Sequence, residues 1–200
     1  DTDILVSQAR DGDAVATNDP AALDFSTFFD GVTGWTAFDL AAVDGTKQFA
    51  AQGSVALDAF GVLIAKGSYS VQLGKVTKGS TTYDALGLKL GSTAFTGASA
   101  VEVFVGTGGT LDDQGTADEY SDDTIDKSAG VGFSATLNSL KLVTLKDAGT
   151  LPATTDDKSY LGLQIDDLSA ELVGIDGLTF RAYDTDILVS QARDGDAVAT

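Results

Sequence analysis

The chain has 200 residues, 43% of them hydrophobic, which supplies enough apolar material for a folded core and excludes a disordered tail. Twelve basic residues against 30 acidic ones give a formal charge of −18, the wrong sign for binding phosphates, so we expect no nucleic-acid partner. Cys and His are both absent, which excludes disulfides, thiolate or imidazole metal sites, and Ser-His-Asp or Cys-His catalysis.

The first segment of the chain occurs twice in the sequence. Asp1–Thr17 reads DTDILVSQARDGDAVAT, and Asp184–Thr200 repeats it without a mismatch, at an offset of 183 residues. Self-similarity at a fixed period is typical of repeat architectures. We therefore interpret residues 1–17 as the end of the preceding repeat register, 18–183 as the remainder of one 183-residue unit, and 184–200 as the start of the next register.

The opening segment otherwise reads as a strand and a few irregular elements. Ile4–Ala9 is a strand candidate, and a turn follows at Asp11–Asp13. Ala21–Phe29 is the most helix-like run, for which a short helix or 3₁₀ turn and an irregular loop are both open. Trp35–Leu40 alternates as a strand does. The sequence has no Met and no run typical of a signal peptide or a membrane span, so we expect any secretion signal elsewhere in the parent protein and no membrane insertion.

Four longer blocks then show period-two alternation. They are Phe49–Val76, Tyr83–Gly109, Gly130–Asp147 and Tyr160–Ala192. Their apolar side chains come in groups that share a face, and these groups are Val101, Val103 and Val105; Phe133, Ala135 and Leu137, then Leu140 and Leu142; Leu161, Leu163 and Ile165, then Leu168, Ala170 and Leu172. Glycines such as Gly61, Gly67 and Gly74 separate the groups. The pattern predicts many short strands of about 5–7 residues with glycine at the corners.

An all-β fold follows from this alternation, and the repeat boundary narrows the architecture. Leu178–Tyr183 runs into Ile187–Ala192 with no Pro, Ser or Thr linker. A seamless boundary favours a β-solenoid-like or otherwise continuous stacked β architecture, because each unit then covers the exposed edge of its neighbour. Strongly alternating strands are also typical of a sandwich, so a β-sandwich repeat is the alternative.

The acidic stretch Leu111–Lys127 is the one region without apolar rhythm. Hard divalent cations prefer several carboxylate and carbonyl oxygens on a flexible loop, so calcium is the candidate cofactor. The spacing matches no EF-hand, and a solvated acidic loop is the alternative interpretation. The candidate metal ligands are Asp112, Asp113, Asp118, Glu119, Asp122 and Asp123.

No catalytic constellation is found. The adjacent carboxylate pairs, for example Asp156-Asp157, point to opposite faces where they lie on a strand. Trp35 is the sole Trp, and it is either a core residue or a sugar-stacking residue. We therefore expect no enzyme activity, and no catalytic or cofactor-binding residues.

Several sequence segments resemble repeats of very large bacterial extracellular proteins, which carry long tandem arrays, often beside calcium-binding repeat modules. These segments are GSVALDAFGVLIAKGSYSVQLGKVT, TYDALGLKLG, VEVFVGTGG and SYLGLQIDDLSAELVGIDGLTF. The resemblance covers about Phe49 to Ala192. It implies a surface, adhesive or matrix role outside the cell and no enzyme activity.

Together these observations predict a structural repeat unit of a giant extracellular filament, stalk or matrix protein. Its expected partners are neighbouring copies of the same repeat. The alternative is a spacer or a glycan- or partner-binding module of a large cell-surface adhesin, with glycans or another cell surface as its partner.

Overall fold

The computed structural model describes residues 3–9, 23–25, 27–28, 45–91, 101–116, 122–147 and 158–194. In these ranges the protein is all-β, as predicted, and contains no helix. No described helix could therefore cross a membrane. The strands are β1 (Asp3–Val6), β2 (Lys47–Ala59), β3 (Leu63–Lys78), β4 (Thr81–Gly91), β5 (Val101–Thr107), β6 (Thr110–Asp112), β7 (Thr124–Asp126), β8 (Val131–Leu137), β9 (Ser139–Asp147), β10 (Lys158–Val173) and β11 (Arg181–Asp194).

One antiparallel sheet contains most of these strands. Its nine members are ordered β1-β2-β3-β4-β9-β10-β8-β5, with β11 paired to β10 and β5 also paired to β3. The remaining two strands, β6 and β7, form a separate hairpin. The strands β1 to β4 pair in chain order, as do β9 to β11, whereas β4 pairs with β9 and β5 pairs with both β3 and β8.

The strands β8 and β9 lie end to end along β10, and β4 and β5 lie end to end along β3, so each pair resembles one long interrupted strand. Along β10, Thr136 of β8 pairs with Ser169 and Ser139 of β9 pairs with Asp166, so the same register continues across the break. Along β3, β4 ends where β5 begins, and residues 92–100 between them lie outside the described ranges. The sheet is therefore two long halves joined through β2, β3, β10 and β11, which run through both.

The prediction of short strands with glycine corners holds only in part: β5 and β8 have seven residues each and Gly79 lies in the β3–β4 turn, but the longest strands contradict it. β3 and β10 each have 16 residues, and Gly67 and Gly74 lie inside β3. These glycines allow close approach of a neighbouring chain segment. A Cβ on Gly67 would lie 3.0 Å from Val101 Cγ2, and one on Gly74 would lie 2.6 Å from the Thr46 carbonyl oxygen. Gly61 does lie at a turn, with a φ of +66°.

The β-solenoid prediction is wrong, because tight turns return the chain antiparallel to itself. The Ala59–Val62 turn closes with the Val62 N–H donating to the Ala59 carbonyl at 3.1 Å. A solenoid needs the chain to advance by one coil before it pairs again. The sandwich alternative fits better, since the β6–β7 hairpin packs as a second layer on part of the large sheet.

The two faces of the sheet differ in polarity. One in-register row crosses seven strands and is apolar throughout, comprising Ile4, Ala51, Val71, Leu88, Leu142, Leu163 and Val189. We call the side that carries this row the apolar face. The opposite side, the polar face, carries residues such as Gln72, Lys89, Lys141 and Gln164.

Among the described residues, the packed cluster of buried hydrophobic side chains is small and lies on the polar face, under the β6–β7 hairpin. Ile64 and Phe104 are fully buried, and Ile125 of β7 is 7% exposed. Leu111 and Val173 pack against this cluster. A Cβ on any of three glycines, Gly106, Gly109 or Gly130, would lie within 3.0 Å of the Phe104 ring, so the backbone closes tightly around it.

The N-terminal predictions are only partly covered by the structure. The first strand is Asp3–Val6, somewhat shorter than the predicted Ile4–Ala9. In the run Ala21–Phe29, the Phe28 N–H donates to the Asp24 carbonyl at 3.1 Å, which closes a single turn and no helix in the described part. Asp11–Asp13 and Trp35–Leu40 lie outside the described residues.

Candidate functional site

The first copy of the repeated segment forms one edge of the sheet. β1 pairs with β2, with Leu5 opposite Ala50 and Val6 opposite Phe49. The Ser7 N–H donates to the Gln48 carbonyl at 3.1 Å. Because backbone groups alternate sides along a strand, Leu5 and Ser7 direct their N–H and C=O groups at β2, and Ile4 and Val6 direct theirs away from the sheet.

The second copy forms the opposite edge. In β11, Ile187 pairs with Ile165 and Val189 with Leu163 of β10. The Asp166 carbonyl accepts from Asn138 on the β8–β9 side, so the neighbouring Ile165 faces β11. Ile187 and Val189 therefore direct their backbone groups at β10, and Leu188 and Ser190 direct theirs at solvent.

The two copies use complementary edges of the same strand. In the first copy Leu5 is half-buried and Ser7 only 3% exposed, whereas the equivalent Leu188 is 77% exposed. The pattern reverses at alternate residues. Ile4 and Val6 are 65% and 56% exposed, and their equivalents Ile187 and Val189 are half-buried. Each copy thus shelters the residues that the other copy exposes.

The copies also share direction and facing. β1 and β11 are both antiparallel to the strand beside them, and six strand steps separate them in the order β1-β2-β3-β4-β9-β10-β11. They therefore run in the same direction. Ile4 and Ile187 both lie on the apolar face, through the pairings of Ile4 with Ala51 and of Ile187 with Ile165. One strand could hold both positions at once without turning over.

The predicted metal ligands are only partly brought together. Asp112 and Asp113 lie at the end of β6, and their side chains accept hydrogen bonds from the backbone N–H groups of Gln114 and Gly115. Asp122 accepts from Thr116 Oγ1 at 2.9 Å. Asp118 and Glu119 lie outside the described residues.

Asp123 differs from the other acids because it is buried. Its side chain is 3% exposed and its Oδ1 has no hydrogen-bond partner, while its carbonyl accepts from Lys66 Nζ. Within the described part of the chain, no group of three or more acidic residues is arranged to hold a metal ion. Calcium binding stays a prediction, which a thermal-shift titration with calcium and then a chelator would check.

A carboxylate that the sequence did not single out joins the two halves of the sheet. Asp166 lies opposite Ser139 where β8 gives way to β9. It accepts from Ser139 Oγ at 2.6 Å, Lys141 Nζ at 3.0 Å and Gln164 Nε2 at 2.6 Å. These hydrogen bonds, that of Ser139 first, lower the pKa of Asp166 to about 2.

This carboxylate predicts a pH dependence. The folded pKa of Asp166 lies below its unfolded value of 3.8, so its stabilising contribution is present above about pH 4 and is lost as the pH falls towards 2. We expect Asp166→Asn to lower the Tm at neutral pH and to flatten the fall in Tm between pH 4 and 2. Asp176→Asn, in the exposed β10–β11 turn, is the charge-matched control. Equal profiles for both variants would contradict the assignment.

A shallow cavity of about 190 Å³ lies beside the hairpin, lined by residues that include Lys127, Ser134 and Arg181. Lys127 Nζ lies 3.1 Å from Glu102 Oε1 and donates to Ser134 Oγ at 2.6 Å. Arg181 Nε lies 3.4 Å from Glu171 Oε2. Both cations are thus already paired, and the cavity offers neither of them to a ligand as a free charge.

Comparison with known proteins adds no family. No protein-family model matches the chain, and no curated protein or solved structure shows significant similarity to it. The two sheet edges are therefore interpreted from their own geometry.

Proposed function

We propose that this chain is a non-enzymatic structural unit of a tandem array, in a giant extracellular filament, stalk or matrix protein. In such an array the second copy of one unit is the first copy of the next. One strand then pairs with β10 on one side and with β2 of the following unit on the other. The observation that carries the proposal is that each copy buries the residues that the other exposes. Leu5 is half-buried and its equivalent Leu188 is exposed, whereas Ile187 is half-buried and its equivalent Ile4 is exposed.

The geometry gives the array definite dimensions. Neighbouring strands lie about 4.8 Å apart, so the six spacings from β1 to β11 advance the array by about 29 Å per unit. The 16 residues of β3 or β10 span about 53 Å at about 3.3 Å per residue. The array is then a ribbon about 53 Å wide in which every backbone edge is paired except at its two ends.

Hydrogen exchange on a two-unit chain, residues 1–183 followed by residues 1–200, tests this junction. In the single unit we expect slow exchange at Leu5 and Ser7 but fast exchange at Leu188 and Ser190. In the two-unit chain the central copy of the strand has a partner on both sides. Slow exchange is then expected at all its amides, because each donates to one neighbour or the other.

Val143, in the middle of β9, is the internal control, since its strand is paired on both sides in either chain. A central copy whose alternate amides still exchange fast would refute the continuous sheet. Electron microscopy of the native array adds a second readout. A continuous ribbon with an axial repeat near 29 Å is expected, whereas globules joined by flexible gaps would favour the adhesin alternative.

The absence of His and Cys from the sequence supports the non-enzymatic part of the proposal. The adhesin alternative, a spacer or glycan-binding module, depends chiefly on Trp35, which lies outside the described residues. Loss of glycan binding in Trp35→Ala would support that alternative. The extracellular location is likewise part of the proposal and rests on the resemblance of several sequence segments to repeats of large bacterial extracellular proteins.

A further inference from the structure

The half of the apolar face opposite the β6–β7 hairpin is exposed. Its large side chains extend across four strands and onto the β10–β11 turn, and each is between 38% and 54% exposed. Phe133 and Phe180 meet edge to face, with ring centroids 6.3 Å apart. We call this surface the end patch; it consists of Val55, Leu57, Leu63, Val105, Val131, Phe133 and Phe180.

Among the described paired positions of this half, the charged residues lie on the polar face. The paired positions on the polar face carry five charged residues: Asp58, Lys66, Glu102, Glu171 and Arg181. Positions paired with the end patch carry small or apolar residues such as Ala65, Val103 and Ala135. Among the described paired positions of this surface no carboxylate occurs, although the chain has a formal charge of −18. That surface has no charge to select an unlike partner, and another copy of itself meets it without repulsion at the contact.

Phe60 gives an independent indication. It lies in the β2–β3 turn, beside the end patch, with a φ of +60° and a side chain that is 100% exposed. A positive φ is unfavourable for a bulky residue. The next residue of the turn also has a positive φ, and there the sequence has a glycine, Gly61. In the single unit this ring gains no packing that would offset the backbone cost.

We propose that the end patch is an interface with a second copy of this chain, formed patch to patch. Seven roughly half-exposed large side chains amount to roughly 600 Å² per copy, so a pair would bury roughly 1,200 Å², the lower limit for a stable interface. Pairing of two single units does not depend on the proposed tandem function. If that function holds, Ile4 and Ile187 keep the same face outward in every unit, and two arrays meet at one patch per unit, which multiplies the affinity.

Sedimentation of the 200-residue chain across the micromolar range tests the proposal. A reversible monomer–dimer equilibrium is expected. Val105→Lys puts a charge at the centre of the end patch and should weaken dimerisation roughly tenfold or more. The matched control is Val143→Lys on the polar face, because Val143 is 45% exposed and Val105 48%. The control should dimerise as the parent chain does.

A second pair of variants separates face pairing from edge pairing. Phe60→Gly removes the ring and the steric cost of the positive φ, which glycine adopts without strain, so it should raise the Tm of the monomer and weaken dimerisation. Leu188→Pro removes an N–H from the free edge of β11 and should leave dimerisation unchanged. A chain that stays monomeric throughout the range, as when its own segments cover the patch, overturns the proposal. Dimerisation that survives Val105→Lys, or that is lost in Leu188→Pro, overturns it as well. Survival in Val105→Lys would leave the proposed tandem junction unaffected, because the end patch takes no part in that junction.

Discussion

Phe104→Ala is expected to lower the free energy of unfolding by about 3–5 kcal/mol, because a fully buried ring would leave a cavity that its surroundings cannot fill. The ring is 0% exposed and contacts the Ile64 and Ile125 cluster. The backbone at Gly106 and Gly130 is already as close as it can approach, since an added Cβ at Gly106 would lie 2.2 Å from the Val131 carbonyl oxygen. Collapse around the missing ring is thus limited.

Equilibrium urea unfolding measures this loss, and Phe133→Ala is its control. Phe133 lies on the adjacent strand and is 54% exposed, so we expect it to cost about 1 kcal/mol or less at concentrations where the chain is monomeric. If Phe104→Ala fails to fold, Phe104→Leu keeps most of the apolar volume and should cost about 1.5 kcal/mol. Equal losses for Phe104→Ala and Phe133→Ala would mean that the hairpin does not cover a core.

The region around Phe104 shows which features of the fold the sequence predicts and which it does not. Alternation in Val101–Val105 and Phe133–Leu137 correctly predicts strands and the side chains that share a face. It does not reveal that the residues of the other parity, Ile64 and Phe104, form the core, because burial there depends on the β6–β7 hairpin folding back. That hairpin lies in the acidic stretch, which lacks apolar rhythm apart from Leu111 and Ile125.

The apolar pattern does not locate the strand ends correctly, and the reason is physical. The apolar pattern steps by three residues from Leu137 to Leu140 and from Ile165 to Leu168, which suggests a boundary between strands. In the structure the register between the two strands continues across both steps. The extra residues, with Asp167 at a φ of +53°, return the apolar side chains to the same face. A bulge and a strand end leave the same trace in a sequence.

The repeated segment and the acidic stretch differ in what their sequences specify. The identity of Asp1–Thr17 and Asp184–Thr200 leads to the proposal of one shared strand, because identical sequence implies an equivalent position. What identity could not give is which edge each copy uses, since that depends on the partner strands. The acidic residues show the opposite case: composition suggested ligands, but convergence of their oxygens requires a loop geometry that sequence spacing did not specify.

Deletion of residues 1–9 is expected to convert the single unit into an end-to-end polymer. The deletion leaves the β2 edge from Phe49 to Gln52 without its partner and exposes Ala50 and Ala51, which are 8% and 7% exposed in the intact chain. Loss of four paired residues and of the shelter of Leu5 should cost about 3 kcal/mol of stability. The free edge of β11 in another molecule carries the same sequence and can fill the gap. Such a head-to-tail contact does not close on itself, so it grows into filaments.

Light scattering and electron microscopy follow the polymer, and two additions establish its cause. A synthetic peptide of residues 1–9 should occupy the β2 edge, stop growth and restore the Tm. Leu188→Pro in the deleted chain removes the donor edge and should leave a destabilised monomer, since the gap then has nothing to fill it. A deletion variant that stays monomeric with an unchanged Tm would refute the edge pairing. Polymers that form despite both the peptide and Leu188→Pro would also refute the edge pairing, because a contact formed patch to patch at the end patch closes a dimer and cannot extend it. The intact chain avoids this polymerisation because its own β1 already occupies the edge, which is the position that the preceding unit fills in the proposed array.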